Sequence, residues 1–221
     1  MQNWNAQFAP PPEHQKDQPS RWIPIACVVF VLGLVGLTFP VTYSMMTAPN
    51  PMAAMMPTNS NFNLMNDQGR PVTNRSWPGK YLLVYFGYTH CPDICPTTLA
   101  TMAQSMQALG KTAREVQPLF ITIDPARDTS AVMRQYTKLF SSDLVGLTGS
   151  ASAIHAAAAN YGVHYALEGK AADAQSYEMS HTANVYLVAP DGAIADVMPP
   201  EMSAQAMVAE LQSHLTQTAS R

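Results

Sequence analysis

Cys91 and Cys95, in the run YFGYTHCPDICPTTL over residues 85–99, are the side chains of this 221-residue chain best suited to chemistry. A thiolate is the form of cysteine that binds metal or attacks a disulfide, so the pair suits either a metal centre or a redox couple. Its CxxxC spacing is not that of a CxxC redox pair. On a wholly helical turn it would hold the Cβ atoms roughly 5–6 Å apart, beyond the approximately 3.5–4.5 Å of a disulfide. With Cys91 in a loop ahead of the helix, reversible closure stays open, and the wider gap leaves room for an ion between the sulfurs.

Two thiolates do not complete a metal site, so a third ligand is sought among the six histidines. His14 falls in a polar N-terminal tail, and His155 and His214 fall in helical patterns with no cysteine nearby in sequence. His90 adjoins Cys91, but chain neighbours project differently, which suits it to tuning the thiolate rather than to ligation. His164 reads as a structural residue of a short strand. His181 ends a polar loop and precedes an apolar strand; in an open sheet such a strand entry can face the first strand-to-helix turn. Position alone leaves His181 open between ligand and ordinary histidine. Asp93, inside the CxxxC loop, reads as a turn former with an outer-sphere role as the alternative. The third cysteine, Cys27, lies in an apolar segment far from the pair and reads as a small hydrophobe.

The elements that must hold these residues are legible around them. The apolar run 81–85, bounded by Gly79 and Gly87, predicts a buried strand. Leu99, Met102, Met106 and Leu109 recur at helical spacing until Gly110, and Pro96 belongs in the first turn, so the helix begins at about Cys95 or Pro96. Cys95 is then expected at a helix N-terminus, where free N–H groups and the macrodipole favour its thiolate. Residues 62–72 suggest a small strand-turn-strand ahead of the main sheet. Residues 116–123 form a second buried strand, followed by a helix capped at Thr129 or Ser130 with Val132, Met133, Tyr136, Leu139 and Phe140 inward. A short apolar piece spans 144–147, Ser150 opens an alanine-rich helix to Tyr161, and 163–167 is a candidate strand. A polar loop, 168–178, leads to a strand at 182–188, a hairpin turn at Asp191 and Gly192, and a returning strand at 193–198. Ser203 caps a last helix with Met207, Val208, Leu211 and Leu215 inward. Strands alternating with helices imply an α/β sheet covered by helices, and a dithiol at its first strand-to-helix junction is a thioredoxin-like arrangement.

Composition bounds the rest. A net charge of -3 and 12% charged residues exclude the basic excess of a nucleic-acid partner. Residues 1–22 read as a disordered cytoplasmic tail. Residues 23–43 carry no charge, and about 20 mostly apolar residues cross a bilayer as a helix, so this is a transmembrane anchor. Lys16 and Arg21 precede it and no charge follows until Asp67, which places the tail in the cytoplasm and the remainder outside. The alternative is a cleaved secretory signal ending near Ala53 and Ala54. Residues 44–61 form a Met- and Pro-rich linker holding Met45, Met46, Met52, Met55 and Met56; it reads as a tether, with transient copper handling by thioethers as the alternative. Residues 62–221 form the folded domain.

Four motifs, FGYTHCPDICPTT, IDPARDT, SHTANVYLV and the following PDG, in matching order between 62 and 215, resemble the SCO/SenC family of membrane-anchored copper proteins that assist cytochrome oxidase assembly. The resemblance implies a thioredoxin-like domain binding one copper ion through a CxxxC pair and a distant histidine: by motif position Cys91, Cys95 and His181. One feature of the chain agrees. Thioredoxin-like oxidoreductases place a cis-proline before the strand facing their dithiol; here no proline lies between Pro125 and Pro190, and Ser180, His181 and Thr182 take that place. Two thiolates suit Cu(I), and an imidazole helps retain Cu(II). Zinc is the chemical rival, although its structural sites want four ligands. Asp124, Arg127 and Asp128 match the family's DPxRDT loop, as a loop-fixing charge pair or a partner contact.

The implied function is a copper-transfer module, not an enzyme, whose partners are a respiratory oxidase copper-site subunit and another copper chaperone as donor. The alternative is a thiol-disulfide reductase in which Cys91 and Cys95 cycle to keep the oxidase's cysteines reduced. The implied location is a bacterial inner membrane, single-pass with the domain in the periplasm, or the mitochondrial inner membrane. Residues 168–178, where family members differ, would carry partner choice.

Overall fold

The computed structural model describes residues 60–168 and 177–219. The tail, the apolar stretch 23–43, nearly all of the linker, Cys27 and the middle of the 168–178 loop lie outside the described residues. Among the described residues no helix is long and apolar enough to cross a membrane.

The central strand is β3 (Tyr81–Gly87), buried at all seven positions. A strand covered on both faces is expected to be continuously apolar rather than alternating. It pairs in parallel with β4 (Val116–Thr122) through Gly87↔Thr122, two residues past the end predicted at Tyr85, because β4 continues the ladder. On its other side lies β8 (Val185–Val188), antiparallel, followed by β9 (Ile194–Met198). The β8–β9 connection turns at Gly192, whose φ of 93° is the left-handed conformation expected of an Asp-Gly hairpin. Beyond β4 lies β5 (Val145–Thr148), parallel to it.

The N-terminal hairpin, β1 (Asn63–Asn66) and β2 (Pro71–Thr73), is not a separate unit ahead of the sheet. β1 pairs antiparallel with β5, giving a sheet order β2-β1-β5-β4-β3-β8-β9 among the described residues.

Successive side chains of β3 face opposite ways. Tyr85 stacks on Phe120 of β4, whereas Phe86 meets Tyr161 and Tyr186 edge-on at 5.1 and 6.3 Å. On the Tyr85 face lie α1 (Ile94–Leu109) and α2 (Ser130–Thr137), the latter through Tyr136, whose ring is 5.8 Å from that of Phe120. α1 buries Leu99, Met102, Met106 and Leu109 as its periodicity predicts. It also packs on α4 (Ala204–Ala219), where Ser105 Oγ donates to the Ala204 carbonyl at 3.3 Å. The Phe86 face is closed by Tyr161, which follows α3 (Ala151–Asn160). Ser150 caps α3 as its sequence predicts, and of the two candidates Thr129 and Ser130 it is Thr129 that caps α2. Leu139 is a correction: α2 ends at Thr137, helical periodicity lapses there, and Leu139 is 77% exposed rather than inward.

β6 (Tyr165–Glu168) and β7 (Glu178–His181) form a separate antiparallel ribbon with Tyr165 opposite His181. The apolar strand predicted at 182–188 therefore starts later, at Val185, and His181 ends a strand of its own. Thr182 stays with the ribbon: its N–H donates to the His164 carbonyl at 2.9 Å, and its hydroxyl accepts the His164 N–H at 3.2 Å.

Candidate metal centre

Both cysteines lie at the end of β3, where the chain turns into α1. The helix starts at Ile94, ahead of the predicted Cys95 or Pro96, with Asp93 at the N-cap position. Asp93 contributes backbone only: its carbonyl accepts the Thr97 N–H and hydroxyl at 3.3 and 3.0 Å, and its side chain makes no cap bond.

The roles of the two thiols differ from expectation. The Cys95 N–H, one of the free donors of the first turn, points to Cys91 Sγ at 3.5 Å, so the helix terminus serves Cys91. Cys95 itself is fully buried, and desolvation pushes its thiol up to about 12; the Tyr88 backbone and the Tyr85 hydroxyl pull the other way without prevailing. Tyr85 Oη donates to Cys95 Sγ at 3.7 Å. The thiolate favoured by the helix N-terminus was expected at Cys95, but burial decides there.

His181 reaches this pair across the chain: its Nε2 lies 3.4 Å from Cys95 Sγ. The ring is held edge-on by Tyr85 and Tyr88, with centroids at 6.1 and 6.2 Å. Nδ1 lies 3.0 Å from the Thr182 carbonyl oxygen, which can only accept, so the proton sits on Nδ1 and Nε2 keeps its lone pair. Burial lowers the imidazole's affinity for a second proton, partly offset by that carbonyl. A neutral ring with Nε2 free is the metal-ligating form.

The two sulfurs and Nε2 lie within 4.8 Å of one another. Bond lengths of about 2.3 Å to sulfur and about 2.0 Å to nitrogen put two donors of one tetrahedral ion about 3.5 Å apart, so this spacing suits a shared ion. Two soft sulfurs and one borderline nitrogen form a donor set for copper.

A sequence model of the SCO1/SenC family matches residues 50–216. The chain belongs to the SCO1/SenC family. It is 38% identical over 156 residues to the mitochondrial SCO2 homolog of Mus musculus, covering 70% of this chain and 61% of that one. The chain thus spans about three fifths of the length of that relative, or 52% in the human mitochondrial SCO1 homolog. Among solved structures, Bradyrhizobium japonicum ScoI with copper bound superposes with a TM-score of 0.65 at 36% identity, covering 71% of this chain and 98% of that one. Arabidopsis thaliana ScoI with copper bound gives 0.67 at 31%, covering 72% and 99%. The mixed α/β sheet with a dithiol at the end of its central strand is the thioredoxin-like Sco fold.

The DPxRDT loop of this SCO1/SenC domain fixes the turn that carries Cys91. Asp128 is fully buried and accepts the Thr89 N–H at 3.0 Å, the Thr89 hydroxyl at 2.5 Å and the Thr122 hydroxyl at 2.6 Å. Asp124 pairs with Arg127 in the same loop. His90 is half-exposed, 3.1 Å from Thr89 Oγ1, and stands outside the ligand cluster. His164 and His155 are exposed; His155 stands edge-on to Tyr165. His214 of α4 lies 3.6 Å from Asp196 of β9. Sequence reasoning missed Tyr85, Tyr88 and Tyr177 as residues of the site. Tyr85 was hidden because an apolar strand reads as core whichever way its rings face, whereas Tyr88 lies past the end of that strand.

Proposed function

We propose that this SCO1/SenC protein is a copper carrier that holds one ion through Cys91, Cys95 and His181 and passes it to the copper site of a respiratory oxidase subunit. The juxtaposition of two sulfurs and an unprotonated imidazole nitrogen within 4.8 Å carries the reading. The copper-bound Bradyrhizobium and Arabidopsis relatives support copper over zinc. Copper here is cargo. Three ligands leave a coordination position open, so a partner's sulfur or nitrogen can bind before a ligand of the donor leaves. Cys95, buried and protonated when empty, must lose its proton on loading, so uptake releases protons. Residues 23–43 would tether the domain outside an inner membrane, mitochondrial or bacterial; relatives named mitochondrial support the first.

Anaerobic Cu(I) titration of the full chain in detergent tests this. One tightly held ion is expected, lost in Cys91→Ser and Cys95→Ser and held more weakly in His181→Ala. Loss of oxidase assembly with either cysteine, while His181→Ala keeps both copper affinity and assembly, would favour a thiol-disulfide reductase instead.

A further inference from the structure

The three residues of the centre are not held in the same way. Cys91 and Cys95 sit at the junction of β3 and α1, in the main core, whereas His181 ends a ribbon that is not hydrogen-bonded into the seven-stranded sheet among the described residues. Its position against Cys95 must come from elsewhere.

Contacts from the DPxRDT loop supply it. Arg127 pairs with Asp124 and donates from Nη1 to the carbonyl of Tyr177, the residue preceding β7, at 3.1 Å. Its guanidinium also stacks 3.6 Å above the Tyr177 ring, and the Tyr177 hydroxyl returns to Asp124 Oδ1 at 2.7 Å. Two residues further along, the Met179 N–H donates to the Tyr88 hydroxyl at 3.3 Å. The Tyr88 ring lies between: Arg127 is 5.8 Å from its centroid, and its edge-on partner is His181. Arg127 and Asp124 are largely buried, with side chains 11% and 4% exposed. A planar guanidinium can pair, donate to a carbonyl and stack at once; an ammonium cannot.

We propose that Arg127 is the positioning residue for His181: through Tyr177 and Asp124 it clasps the start of β7 to the β4–α2 loop and so keeps Nε2 facing Cys95 Sγ. The proposal rests on the copper reading for its consequence but not for its geometry. Without the clasp the thiol pair stays in place while the imidazole occupies its ligating position only part of the time. Apparent affinity falls by that occupied fraction.

The full chain in detergent is examined in two states. In the metal-free protein, Arg127→Ala is expected to speed amide exchange in β6 and β7 by about tenfold or more while β3 and β4 keep wild-type protection. In the Cu(II)-loaded protein it is expected to weaken the imidazole nitrogen hyperfine signal in the electron paramagnetic resonance spectrum, which His181→Ala abolishes. Cu(I) affinity should fall by about 10–100-fold, and Arg127→Ala/His181→Ala should be no weaker than His181→Ala alone. Tyr177→Ala, altering the ribbon's side of the clasp, should repeat this pattern, and Arg127→Lys should not restore it. Wild-type exchange and an intact nitrogen signal in Arg127→Ala would overturn the proposal, as would additive losses in the double variant. If the wild-type protein bound no copper the copper reading would fail, and the exchange measurement alone would decide the clasp.

Discussion

Asp128 shows how much of the site depends on a residue that touches no ligand. Its carboxylate gathers the Thr89 N–H and two hydroxyls without solvent, so the turn leading to Cys91 is held by one buried charge. Hydrogen bonds to a charged group are worth more than neutral ones, and orphaned buried donors add their own desolvation cost. Asp128→Ala is expected to destabilise the metal-free domain by about 3 kcal/mol, read as a lower urea midpoint at unchanged slope. The two thiols teach the same lesson. Spacing places both near a helix terminus, but which sulfur receives the N–H and which is desolvated is a matter of a few ångströms.

At the scale of elements, the β3–α1 junction depends on Gly87. A Cβ there would stand 2.7 Å from Cys95 Sγ and 3.0 Å from Phe120 Cε2, closer than atoms pack, so the strand needs glycine where the thiol crosses it. Gly87→Ala is expected to cost about 1–3 kcal/mol by overpacking. It should also push Cys95 away from His181 and weaken copper uptake, measured by thermal melting and by titration of the same sample. Of the ribbon, β6 matches the candidate strand at 163–167, whereas β7 falls where a polar loop was expected. β7 is short and half exposed, so no apolar period marks it, and His181 reads as the end of a loop rather than of a strand.

Across the whole domain, the two sheet faces divide the work. The Tyr85 face carries the candidate centre, and the Phe86 face closes a core around Tyr161 and Tyr186. Burial pushes the Tyr186 hydroxyl up from 10.0 to about 12, against a smaller opposing pull from Asn184, and raises Tyr161 as well. The folded chain keeps protons that the unfolded chain releases, so this stability is complete below pH 10.0 and lost as pH rises through about 12. The urea midpoint should fall over that window in step with tyrosinate absorbance, and Tyr186→Phe should flatten the fall.

Local residue patterns suffice for the strand, the turn and the helix that display Cys91 and Cys95, the cap at Ser150 and the inward face of α1. Those features rest on neighbours within one or two turns, where propensity, proline, glycine and apolar period act. Four motifs pointed to the SCO/SenC family, and through that resemblance to His181, which position alone left open. Tertiary structure decided what depends on distant partners: that β1 joins the main sheet through β5, that Leu139 lies outside the core, and that Cys95 is the desolvated thiol. It also decided how His181 arrives. The contact from Cys95 to His181 spans 86 positions, and its geometry is set by a tyrosine and an arginine brought together only when the strands have stacked.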